Sequence, residues 1–77
     1  MHVKVELLGD LRQYAKNGGK LIEVEVEEGT TVGEFMAKLG VSEDAVWNAA
    51  LDGKLVYPAD PLTEGSTLLV FPPLAGG

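Results

Sequence analysis

One segment of the chain carries a helical apolar stripe, and most of what surrounds it alternates. In residues 31–39 (TVGEFMAKL), Val32, Phe35, Met36 and Leu39 fall at i, i+3, i+4 and i+7, so they line one face of a helix. Thr31-Val32-Gly33-Glu34 has the form of a capping box, and Gly40 stands where a helix C-terminal glycine is expected. A helix this short does not persist alone in water, so another element must cover its stripe. The candidates are strands. Val3, Val5 and Leu7 alternate with His2, Lys4 and Glu6, and Ile22, Val24 and Val26 alternate with Glu23, Glu25 and Glu27. The reading is an α+β domain with a helix packed across one face of a mixed sheet of four to five strands.

The remaining elements follow from local signals. Gly9-Asp10 ends the first strand, and residues 11–16 (LRQYAK) suit a short helix or helical turn that Asp10 can cap. Asn17-Gly18-Gly19 forces a turn. Ser42 can cap a further turn through Glu43, Asp44 and Ala45. A strand begins by Ala49 or Ala50, because Asp52-Gly53 is a hairpin signal with Leu55-Val56-Tyr57 beyond it. Residues 61–65 (PLTEG) look like one helical turn with a glycine stop, and residues 66–71 (STLLVF) read as a last apolar strand.

With 77 residues the chain makes one domain, near the size at which a hydrophobic core alone suffices. It has no cysteine, which removes disulfides, a thiol nucleophile and cysteine-ligated zinc. A single histidine, His2, leaves little for acid–base catalysis and reads as a surface residue. The net charge of −6 argues against nucleic acid and fits more basic protein partners. No apolar run approaches the roughly 20 residues of a membrane span, and the charged, alternating start is no targeting segment. The expected location is the cytoplasm, with neither membrane nor nucleic acid as partner.

Few motifs carry side-chain chemistry. Glu23, Glu25 and Glu27 lie along one strand face about 7 Å apart, at roughly 3.3 Å rise per residue, which spreads them rather than gathering them about an ion. They form a solvated acidic face, or a docking face for a basic partner. Asp52-Gly53 reads as a turn, and Trp47 and Tyr57 as aromatics at the edge of the core. No phosphate-binding glycine motif occurs, and Ser42 and Ser66 have no histidine–aspartate partnership. No metal site is expected, and no cofactor is expected on this chain alone.

The end of the sequence differs. Pro72-Pro73 cannot continue a ladder, because neither residue has an N–H, and consecutive prolines favour an extended segment. Leu74 and Ala75 continue it to Gly76-Gly77. Residues 72–77 could reach about 20 Å at roughly 3.1–3.5 Å each. Glycines without side chains can thread a narrow channel in another protein. The expected division is a domain over residues 1–71 and an extended tail over 72–77. The expected reactive group is the α-carboxylate of Gly77. A frayed or accidental Gly-Gly end is the competing reading of those two residues alone.

These residues resemble a known family. Phe71-Pro72-Pro73-Leu74-Ala75-Gly76-Gly77 is similar to the F-P-P-[VL]-x-G-G ending of MoaD, the small subunit of molybdopterin synthase. Pro61-Leu62-Thr63-Glu64-Gly65-Ser66 resembles the P-L-x-[DE]-G-D segment, Thr31-Val32-Gly33-Glu34 the T-V-x-[DE] helix start, and Leu11-Arg12 the L-R element after the first strand. The resemblance to the MoaD/ThiS-like sulfur carriers covers nearly the whole chain, and the tail is its most specific part. It implies the ubiquitin-like β-grasp fold. It implies that an adenylating enzyme related to ubiquitin activators (MoeB-like), using ATP, converts the Gly77 carboxylate to an acyl-adenylate. A sulfur donor then replaces AMP and leaves a thiocarboxylate. Pro72, Pro73, Leu74, Ala75 and Gly76 would enter the large subunit (MoaE-like) of molybdopterin synthase, for synthesis of the molybdenum or tungsten cofactor.

By motif position the resemblance also implies that Phe71 would help pack against that subunit. Strand parity adds an independent hint. If Leu68 and Val70 face the core, Leu69 and Phe71 point out, with Leu8 as a further candidate for the same docking patch. Two departures bear on the pathway. Gly9-Asp10-Leu11-Arg12 stands where F-A-x-L-R is typical, and Ser66 where Asp is common. The thiamine carrier shares Gly-Gly without the usual Pro-Pro, and a carrier for cysteine synthesis ends Ala-Gly-Gly. Carriers for thiamine, cysteine or tRNA thiolation are therefore alternatives, as is a ubiquitin-like modifier conjugated through Gly77.

Overall fold

The computed structural model describes residues 1–15, 17–42 and 44–73. The elements run β1 (His2–Leu7), a 3-10 helix (Gly9–Tyr14), β2 (Ile22–Glu25), α1 (Val32–Lys38), β3 (Asn48–Leu51), β4 (Lys54–Val56) and β5 (Thr67–Phe71). The five strands form one mixed sheet in the order β2-β1-β5-β3-β4. β5, last in sequence, is the middle strand. It runs parallel to β1 and antiparallel to β3, and the two hairpins β1–β2 and β3–β4 form the flanks.

Alternation decides the inner face. Val3, Val5 and Leu7 of β1, Ala49 of β3 and Leu68 and Val70 of β5 are buried in one cluster with Val32, Phe35 and Met36 of α1. Leu11, Val41 and Leu62 complete this core. It is the expected layer of one helix against one sheet.

The helix start shows how local signals and tertiary structure share the work. The first N–H groups of a helix have no partner within it. Here Glu34 N–H donates to Thr31 Oγ1 at 3.1 Å, and Glu34 Oε1 accepts from Thr31 N–H at 2.9 Å. The capping box read from sequence is therefore formed. Two further donors are met from a distant segment: Val32 N–H donates to Asp60 O and Gly33 N–H to Pro58 O, each at 2.9 Å.

The Asp52-Gly53 hairpin also forms. Both residues have positive φ, +50° and +84°, which is the two-residue turn whose twist matches its strands. Asp52 Oδ1 accepts from Thr67 N–H at 2.9 Å, so the turn is tied to β5 as well. The expected cap at Ser42 forms through its Oγ, which accepts from Asp44 N–H at 3.2 Å; Glu43 lies outside the described residues.

Four expectations are corrected. The helical turn after β1 is a 3-10 helix that begins at Gly9, with Leu8 in the capping position, so Asp10 lies within it and caps nothing. Residues 61–65 are not helical. Leu62 N–H donates to Thr30 O at 2.9 Å and Gly65 N–H to His2 O at 2.7 Å, which holds the segment extended against its neighbours and turned at its end. Ile22 keeps the expected parity but is 42% exposed, because a narrow apolar cleft remains between the sheet edge and α1. Tyr57, read as an aromatic at the core edge, follows the outermost strand β4 and is 65% exposed. Trp47 is half-buried against the core as expected.

Candidate functional site

The sheet has a second face, and β5 organises it. Leu68 and Val70 are fully buried, so Leu69 and Phe71 point to the opposite side. Leu69 is paired with Ala50 of β3 and with Glu6 of β1. Ala50 is paired in turn with Leu55 of β4, which is 58% exposed. Leu8, half-buried with an extended backbone, continues the outward parity beyond β1 beside Phe71. Leu55, Ala50, Leu69, Phe71 and Leu8 thus form one apolar area on the face away from α1. Leu69, Phe71 and Leu8 were legible from strand parity. Leu55 and Ala50 were not, because their membership depends on β3 pairing with β5.

The same face turns acidic toward β2. Glu6 borders the apolar area, and Glu23 and Glu25 lie exposed on the outermost strand. His2 stands between them, with ring nitrogens 4.0 Å from a carboxylate oxygen of each. Lys4, paired with Glu23 and Thr67, is the basic residue within this region. The carboxylates follow the strand, as alternation requires. Among the described residues, no three His, Asp or Glu side chains are grouped to hold a metal ion.

The tail leaves from the middle of this arrangement. The last ladder bond on the β1 side runs from Leu8 N–H to Val70 O at 2.9 Å. Phe71 is still paired with Asn48 of β3, and Pro72 and Pro73 then continue outside any strand. Pro72 is half-buried and Pro73 exposed. Pro72 lies against the backbone of Gly9, a contact that nothing local in the sequence announces. Leu74, Ala75, Gly76 and Gly77 lie outside the described residues.

A larger cleft of about 580 Å³ lies on the other side of the sheet, between α1, Val46, Trp47 and Pro58. Among the described residues that line it, Glu34 is the one charged side chain, and it is already held in the capping box. Among the described residues it brings together no acid–base pair, so the outer face and the tail are the stronger candidate site. Among the described residues no helix is long and apolar enough to cross a membrane.

Comparison with known proteins then decides the family. The model of the ThiS family matches residues 5–77. The chain belongs to the ThiS family. No curated protein matches it. Among solved structures, SAMP1 from Haloferax volcanii is 24% identical with all of both chains covered and a TM-score of 0.73. A Pyrococcus furiosus protein described as molybdopterin converting factor, subunit 1, is 28% identical over 96% of this chain and 99% of its own, with a TM-score of 0.74. A complex of subunits 1 and 2 of the Helicobacter pylori molybdopterin-converting factor contains a chain 23% identical, covered completely both ways, with a TM-score of 0.63. The fold of this ThiS-family chain is therefore the ubiquitin-like β-grasp. SAMP1 and the Pyrococcus furiosus subunit share this fold over nearly their whole length.

Proposed function

We propose that the chain is a sulfur carrier working through Gly77, and that it serves as the small subunit of a molybdopterin synthase. The observation that carries this reading is the tail's exit. The central strand ends in Phe71-Pro72-Pro73 beside an exposed apolar area, and the family match continues to residue 77. The likeness to the Pyrococcus furiosus protein supports the pathway.

The chemistry needs no side chain of this protein. The Gly77 carboxylate attacks the α-phosphorus of ATP in an adenylating, MoeB-like partner, and pyrophosphate leaves. The resulting mixed anhydride has a good leaving group that the carboxylate lacked. A sulfide-equivalent nucleophile from the sulfur donor attacks the acyl carbon, the carbon–oxygen bond to AMP breaks, and a thiocarboxylate remains. The body of the chain docks and the tail delivers. Leu69, Phe71, Leu55 and Leu8 supply the apolar centre of docking, and Pro72 to Gly76 reach into the partner. A MoaE-like large subunit is the receiving partner in this reading, which the complex of subunits 1 and 2 of the Helicobacter pylori molybdopterin-converting factor supports.

Coexpression with an activating enzyme and a sulfur source should replace one oxygen by sulfur in the intact mass. Deleting Gly77 should abolish the change and leave the melting temperature unaltered. Sulfur uptake by the shortened chain would overturn the reading. A second reading keeps the same activation and ends in an isopeptide bond from Gly77 to a lysine of a target protein. Its support is the shared fold with the small archaeal modifier protein of Haloferax volcanii. Conjugates that survive reduction and denaturation would favour it.

A further inference from the structure

The parallel register of β1 and β5 continues past both strands. Leu7 lies opposite Val70, and two residues on the same register brings Gly9 level with Pro72. The two are in contact: a Cβ built on Gly9 would lie 2.8 Å from Pro72 Cγ and 3.0 Å from Pro72 Cδ. Gly9 also has a φ of +61°. That conformation alone does not demand glycine, because asparagine tolerates it at modest cost. The proline ring does demand it, since any Cβ would meet carbon atoms that cannot swing away like a flexible side chain. The ring in turn fixes Pro72 near φ −65°, so placing it also sets the heading of Pro73.

We infer that Gly9 is a positioning residue for the tail: its bare Cα seats the Pro72 ring, and that seat aims the chain at the partner's active site. The inference rests on the carrier reading above. Gly9 touches neither the reacting atoms nor the docking partner's substrate; it acts through Pro72. The glycine at position 9 then has a physical reason. This chain holds its first tail proline against backbone instead of a side chain.

The test is a double-mutant cycle of Gly9→Asn and Pro72→Ala in the full chain, read as the rate of ATP-dependent activation by the purified adenylating partner. Gly9→Asn keeps the left-handed backbone and adds only the Cβ and amide, so it separates ring contact from backbone strain. It should lower kcat by about 10-fold or more, as misaligned reactants do, while KM for the carrier stays within about twofold. In the Pro72→Ala background the same substitution should change kcat by less than about twofold, because the clashing ring is gone. An equal loss in both backgrounds, or no loss in either, would overturn the seat. A readout independent of activation is the nuclear Overhauser contact between Gly9 Hα and Pro72 Hγ and Hδ. Its absence in the wild-type chain would also overturn the seat. If that contact is present but the wild-type chain is never adenylated, the carrier reading fails and the seat stands as a feature of the fold.

Discussion

Leu68 and Leu69 are consecutive residues of the middle strand, and they face opposite sides of the sheet. Leu68 is fully buried between Val5 and Leu51, whereas Leu69 lies half-buried between Glu6 and Ala50. The two leucines should therefore fail differently. Leu68→Ala leaves a cavity in the core and should cost about 2–5 kcal/mol of stability in chemical denaturation. Leu69→Ala should cost less than about 1 kcal/mol. On the proposed function, it should instead weaken binding to a MoaE-like large subunit by about tenfold or more in titration calorimetry, as loss of a central apolar docking residue does. Equal stability losses would mean that Leu69 is a core residue.

The acidic half of the outer face should act on encounter rather than on the final contact. Glu23 and Glu25 are exposed and lie beyond the apolar area. The double substitution Glu23→Gln and Glu25→Gln should lower the association rate with a basic partner a fewfold at low salt and flatten its dependence on ionic strength. Stopped-flow association at several salt concentrations would check this, with the dissociation rate expected to change little.

The capping box gives the helix a measurable pH response. Hydrogen bonds from the Thr31 backbone N–H and then from the Thr31 side chain hold the Glu34 carboxyl below its ordinary pKa, with a smaller contribution from Lys38. Because the folded pKa is lowered, the unfolded chain takes up the proton first as pH falls. The stabilisation is present above the unfolded pKa and is lost as pH falls through the folded one. Glu34→Gln keeps an acceptor for Thr31 N–H but cannot titrate. The wild type should be the more stable of the two near neutrality, and the difference should shrink below about pH 4 in thermal melts. Thr31→Ala should cost about 1 kcal/mol, since it removes the cap for Glu34 N–H.

The hairpin turn rests on one side chain as well as on its backbone. Asp52 combines a positive φ with acceptance of a hydrogen bond from Thr67 N–H. Asp52→Asn keeps both and should change stability by less than about 0.5 kcal/mol. Asp52→Ala loses the acceptor and strains the backbone, and should cost about 2 kcal/mol in urea denaturation.

Much of this architecture is legible in the sequence, because some signals are local. The stripe of Val32, Phe35, Met36 and Leu39 and the Thr31–Glu34 box specify a helix with a defined start. Asp52-Gly53 specifies a tight hairpin. Alternation along residues 2–7 specifies one strand and the apolar run of residues 66–71 another, and Phe71-Pro72-Pro73 specifies where the last must stop. Each is a preference of a few neighbouring residues for particular dihedrals or for one buried face.

Tertiary structure decided what depends on partners distant in sequence. Only the pairing of β5 with both β1 and β3 joins Leu55 and Ala50 to Leu69 and Phe71. Only edge position exposes Ile22 and Tyr57, whose residue types alone suggest burial. Residues 61–65 resemble a helical turn locally, yet Thr30 and His2 offer their carbonyls and draw the segment out of it. The meeting of Gly9 with Pro72 belongs to the same class: both residues looked like chain breakers, and the parallel register made them neighbours. Local sequence sets what each segment prefers, and strand order sets which preferences meet.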